Sequence, residues 1–141
     1  MRALAVWLAV LAVVFGGYAV VTDRALSGDP QQVFVVVDSS VVPDSSFDME
    51  AYWREARARL ADLDGERYTE YALATEKDLL HTFQPELGDL DDINPFAPCQ
   101  ADDVVALSQA VDADRVVLIT SESSCLDVEA PDSWDREIVG G

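Results

Sequence analysis

The chain has 141 residues, with nine Lys and Arg against 27 Asp and Glu, for a formal net charge of −18 at pH 7. Domains commonly run to about 100–150 residues, so this length holds one membrane segment and one small domain and excludes a second core. Eight Arg and a single Lys scattered among the acids make no basic patch to neutralise phosphates, which excludes nucleic acid as a partner. Self-repulsion on this scale opposes compaction in dilute buffer and is screened near 1 M salt, where the Debye length is about 3 Å, so the composition is halophile-like.

Residues 3–21, ALAVWLAVLAVVFGGYAVV, carry no charge. At about 1.5 Å per residue they make roughly 28 Å of helix, the thickness of a bilayer core. The alternative is a signal peptide, whose apolar core usually spans about 7–15 residues before an A-x-A-like site. Here Val20 and Val21 prolong the apolar run, and Gly17-Tyr18-Ala19 is a poor cleavage site. Residues 1–21 are therefore expected to be an uncleaved transmembrane anchor. No cysteine follows the run to take a lipid. The amine and Arg2 lie on one side while Asp23 and Arg24 cancel on the other, so the positive-inside bias keeps the N-terminus cytoplasmic. The expected location is the cell membrane, single-pass, with the domain extracytoplasmic.

Residues 22–32 read as a polar linker with Gly28, Asp29 and Pro30 as breakers. VFVVVDSS, residues 33–40, has the Val-rich continuity of a strand buried on both faces, with Asp38 where that strand must surface. Asp48 then marks a helix N-terminus, with Phe47 and Tyr52 placed to form a hydrophobic staple. Met49, Tyr52, Trp53, Ala56, Leu60 and Leu63 share one face of that helix. Glu50/Arg54 and Glu55/Arg59 form i,i+4 pairs on the other. After Gly65, residues 67–75 and 79–84 read as an antiparallel hairpin turning at Glu76-Lys77-Asp78.

PELGDLDDINPFAPCQ, residues 85–100, has three prolines and no helical period, and a connection this long in a compact domain points to function or disorder. Asp102 or Asp103 caps a short helix carrying Val104, Val105, Leu107 and Val111. RVVLIT, residues 115–120, is a second fully buried strand, and residues 126–141 form a polar tail with Trp134, Ile138 and Val139 as anchors.

A strand ending in DSS, an amphipathic helix, the hairpin around YALATEKDLLHTFQP and then DRVVLITS together resemble the first two thirds of a von Willebrand factor A (VWA) domain, over residues 33–125. The resemblance implies a three-layer α/β/α fold on a small mixed sheet of about four strands, truncated, with one antiparallel edge strand and right-handed crossovers. It orders the sheet as second hairpin strand, first hairpin strand, VFVVV, RVVLIT. RVVLIT then becomes an edge that the tail or a partner must cover. VFVVV is the switch point, where open α/β sheets bind ligands at the carboxyl ends of strands.

In the family's DxSxS motif Asp38 and Ser40 match, but position 42 is Val, and residues 84–101 contain one threonine-loop candidate position after another without a Thr or Ser. A hard cation, Mg²⁺ or Ca²⁺, would have to recruit Asp38, Ser40 and Glu122, with an acid from Asp91 or Asp92 and waters. The other reading of Asp38 is a turn cap bonding the backbone N–H of Ser40 or Val41. Asp91 and Asp92 are also candidate interaction residues. The implied fold brings Cys99 and Cys125 to the same carboxyl edge, where an even cysteine pair outside the cytoplasm is expected to form a disulfide.

The resulting function is a membrane-anchored, extracytoplasmic protein-interaction module without a complete metal site and without an obligatory cofactor. Two alternatives stand beside it: a small metal- or acid-dependent hydrolase using Asp38, and a structural subunit that completes the sheet of an envelope complex. His81, the only histidine, falls on the edge strand between Leu79 and Phe83, away from Ser39 and Ser40, and reads as a packed or rim residue.

Overall fold

The structure, a computed structural model, describes residues 2–40, 47–88, 90, 107–108, 111–122, 124 and 130–140. The chain divides into two compact units, residues 1–30 and residues 31–141.

The first unit is one helix, α1 (Arg2–Leu26). Its stretch Val6–Ala25 has a mean hydropathy of 1.9 and no buried share, and is long and apolar enough to cross a membrane. The helix runs five residues past the charge-free segment because nothing in TDRAL opposes it. It closes where Ser27 N–H donates to Asp23 O (2.9 Å), just before Gly28, Asp29 and Pro30.

The second unit is mixed α/β. Its elements are β1 (Gln31–Val37), α2 (Met49–Leu63), β2 (Thr69–Thr75), β3 (Leu79–Gln84), β4 (Arg115–Thr120) and β5 (Asp135–Ile138). They form one five-stranded sheet in the order β3-β2-β1-β4-β5. β1 lies parallel to both β2 and β4, β4 lies parallel to β5, and β2 and β3 pair antiparallel with two register shifts.

Val33 to Val37 are all 0% exposed, which is why this strand shows no polar alternation. Val33, Val35 and Val37 face one core with Tyr71, Leu73, Val117 and Ile119, and Phe34 and Val36 face the other with Ala72, Ala74 and Leu118. Burial of such side chains stabilises by about 1.5–3 kcal/mol each, so β1 anchors both cores.

α2 covers the first core with Tyr52, Ala56, Leu60 and Leu63 buried. Its start follows the sequence signals: Asp48 accepts the Ala51 N–H (3.0 Å), and the Phe47 and Tyr52 rings meet at 5.8 Å. The opposite core includes Ala130 and Trp134, with Leu79, Phe83, Leu107 and Val111 packed against it. Residues 107, 108 and 111 are helical; the rest of the helix expected after Asp102 or Asp103 lies outside the described residues.

The sheet has five strands instead of about four, and of the two covers expected for RVVLIT it is the tail that takes the place, with β5 pairing along Val117–Thr120. The sequence of β5, DREI, has no strand-like apolar pattern; its place is set from either side. Trp134 is 9% exposed before it and Val139 3% exposed after it, and Arg115 bonds Asp135 at 2.7 Å alongside. Ile138, expected as an anchor, is 44% exposed.

Candidate functional site

The carboxyl ends of β2, β1 and β4 are level. Val37 pairs with Thr75 on one side and with Ile119 on the other, so the next residues, Glu76, Asp38 and Thr120, form a row across three parallel strands. Alternation puts that row on the face of Val36, Ala74 and Leu118. All three residues are 0% exposed.

The two serines after Asp38 serve different carboxylates. Ser40 donates its backbone N–H (2.8 Å) and its hydroxyl (2.6 Å) to Asp38 Oδ1, closing a turn of the Asx type. Ser39 donates its N–H (2.8 Å) to Glu76 Oε2 and its hydroxyl (2.5 Å) to Glu76 Oε1. Asp38 Oδ2 accepts the Thr120 hydroxyl at 2.7 Å. The backbone of Asp38 is held as well: its N–H reaches Ile119 O (2.9 Å), and its carbonyl accepts the Tyr52 hydroxyl (2.7 Å).

Asp38 and Glu76 are thus neighbouring buried acids, and among the described residues no Lys or Arg forms an ion pair with either. Their charge is met by hydroxyl and amide donors, the charge-assisted bonds that a buried carboxylate requires. The field of the pair is felt at Tyr52. Burial first, then the negative charges of Asp38 and Glu76, hold its phenol well above the ordinary tyrosine range. Ser121, beside Thr120, is 1% exposed, and its hydroxyl has no partner among the described residues.

The arrangement makes Asp38 a turn cap that also ties β1 to β4. Of the expected cation ligands, Asp38 and Ser40 come together and bond each other. Glu122 is exposed in the turn after β4 and bonds neither. Among the described residues no group of three or more His, Cys, Asp or Glu side chains could hold a metal ion. Asp91, Asp92 and the expected Cys99–Cys125 bridge lie outside the described residues.

His81 belongs to the hairpin and its exit. One ring nitrogen meets Leu87 O (2.7 Å) and the other Thr82 O (3.0 Å). The hydroxyls of Ser39 and Ser40 are directed to Glu76 and Asp38, so no Ser-His-Asp constellation forms with it.

Glu76 and Thr120 were not among the sequence candidates. Glu76 looked like the first residue of a polar turn, yet it follows the buried run TEYALAT just as Asp38 follows VFVVV, and that parallel was the available signal. The helix pattern marks only the ring of Tyr52; its hydroxyl also belongs to the site. Comparisons with family models, with curated proteins and with solved structures returned no match.

Proposed function

We propose that this chain is a membrane-anchored, extracytoplasmic interaction module of reduced VWA type, which binds a protein partner at the carboxyl edge of its sheet. The observation that carries this reading is the strand order β3-β2-β1-β4-β5 with Asp38 buried at the end of β1. Neighbours on both sides of β1 make that edge a switch point, the ligand-binding position of open α/β sheets. β5, from the C-terminal tail, pairs beside β4 and closes that side of the sheet. α2 on one face, with Leu107 and Val111 on the other, supports the three-layer arrangement.

In this reading Asp38 shapes the rim through its turn and binds no metal. An acid-dependent hydrolase is disfavoured by the burial of Asp38, and β5 fills the place beside β4 that a partner's strand would take in a sheet-completing subunit.

The test is crosslinking capture from solubilised membranes in high salt, with and without chelator. It compares the native chain with Glu122→Lys, a charge reversal at the exposed rim. A partner retained by the native chain in both conditions and lost by the variant supports the reading. Retention of the same partners by both proteins defeats it.

A further inference from the structure

We infer that residues 135–140 act as a strap that latches the Asp38 centre, so that seating of the strap and closure of the centre are one coupled event. The inference deepens the reading of the carboxyl edge as a binding surface, because a coupled strap would let an event at one end of β5 set the shape of that surface.

The strap touches two of the residues that hold Asp38, Thr120 and Tyr52. Val139 N–H donates to Thr120 O (2.8 Å), while the Thr120 hydroxyl donates to Asp38 Oδ2 (2.7 Å). Gly140 lies against Tyr52, whose hydroxyl donates to Asp38 O (2.7 Å). A Cβ built on Gly140 would stand 3.1 Å from Tyr52 Cβ and Cδ2 and 3.3 Å from Tyr52 Cα, and the φ of Gly140 is +76°. Only glycine fits both the backbone and the gap. Two tethers complete the seat: Gly140 N–H to Glu55 Oε2 (2.8 Å) and Glu137 to Arg59 (3.4 Å).

Against these contacts stands the character of β5 itself, four residues long and mostly exposed at the sheet edge. An element with that little burial belongs to the low-stability end of a domain, where openings below global unfolding are drawn from. Opening of the strap removes the backing of Tyr52 and the neighbour of Thr120 together. By linkage, whatever closes the Asp38 turn also favours the seated strap.

The test is amide hydrogen exchange, read residue by residue by NMR on the full chain in detergent micelles without any partner, so its outcome is independent of the capture experiment. The reporters are the amides of Val139 for the strap and of Ser39 and Ser40 for the centre, with Val36 for the sheet interior. In the native chain the three reporters should exchange at similar protection, below Val36. Gly140→Ala should accelerate all three by about tenfold and leave Val36 unchanged. Glu137→Gln, a half-buried and nearly isosteric change that removes the ion pair with Arg59, should do the same to a smaller degree. Thr120→Val, made at the centre, should in turn accelerate Val139. Acceleration of Val139 alone, or equal acceleration of Val36, in either strap variant would overturn the coupling.

Discussion

Asp38 answers three donors with two oxygens: Ser40 N–H, Ser40 hydroxyl and Thr120 hydroxyl. A capping aspartate usually contributes about 1 kcal/mol. Here, Asp38→Ala leaves buried donors without acceptors at about 1–3 kcal/mol for each lost group, so the expected loss is on the order of 3 kcal/mol. Asp38→Asn keeps one acceptor oxygen for Ser40 and should cost less; urea unfolding of the two variants checks the order. Calorimetric titration of the native chain with Mg²⁺ or Ca²⁺ should show no saturable heat, and binding abolished by Asp38→Asn would restore the cation reading. Tyr52 gives the same site a pH signature. Its folded pKa is raised, so above the ordinary tyrosine value of about 10 the native state binds more protons than the unfolded state. Its contribution is fully present below about pH 10 and falls as pH rises beyond it. Tyr52→Phe should cost about 1 kcal/mol at neutral pH through the lost bond to Asp38 O, and should flatten the alkaline decline measured by thermal melts. Only part of this site could be read in advance. Asp38 and Ser40 are two residues apart, so their bond is local, whereas Glu76 and Thr120 reach the site through the register of separate strands.

At the scale of elements, legibility follows how much of an element's stability is written in its own residues. α2 has a cap, a staple and a stripe of apolar residues, and it formed over the residues that pattern marks. β1 and β4 are continuous apolar runs bounded by polar residues, and their burial on both faces follows directly. β5 lacks any such signal, because DREI becomes a strand only through pairing with β4 and the anchors flanking it. The tail's apolar residues were visible, but which of them faced inward depended on that pairing. Trp134 packs with Phe34, Val36 and Leu118, while Ile138 remains 44% exposed. Trp134→Ala should therefore cost about 3–5 kcal/mol, with Ile138→Ala close to neutral. By freeing β5, the first change should also uncover the apolar edge of β4 and promote self-association, whereas the second should not. Urea titration and sedimentation velocity of both variants measure the two consequences.

At the scale of the whole chain, the apolar helix and the acidic charge each make a demand on the surroundings. α1 carries Trp7, Val13, Phe15 and Val21 among its exposed side chains, an arrangement that water does not favour and a bilayer does. Protease added outside spheroplasts should remove residues 31–141 while a fragment containing residues 3–21 stays with the membrane, and protection of the acidic unit would reverse the topology. The net charge of −18 acts through the spacing of like charges. The ion pairs Arg115–Asp135 (2.7 Å) and Arg59–Glu137 (3.4 Å) occupy two of the few cations, and Arg115 is drawn above the ordinary arginine range first of all by its bond to Asp135. Most of the surplus acid has no such partner available, since nine cationic residues face 27 acidic ones. Screening should then help more than it harms: at about 0.1 M salt the Debye length is near 10 Å and repulsion between neighbouring acids persists, whereas at about 1 M it is near 3 Å and only contact pairs survive. Thermal melts of the full chain in detergent should rise steadily from 0.1 to 1 M KCl, by several degrees for each kcal/mol of repulsion removed. Because excluded salts also strengthen apolar burial, the same series in sulfate separates the two causes. A rise that KCl and sulfate share at equal ionic strength marks screening of the acids, while a rise seen in sulfate alone would mean that repulsion among them does not limit the fold.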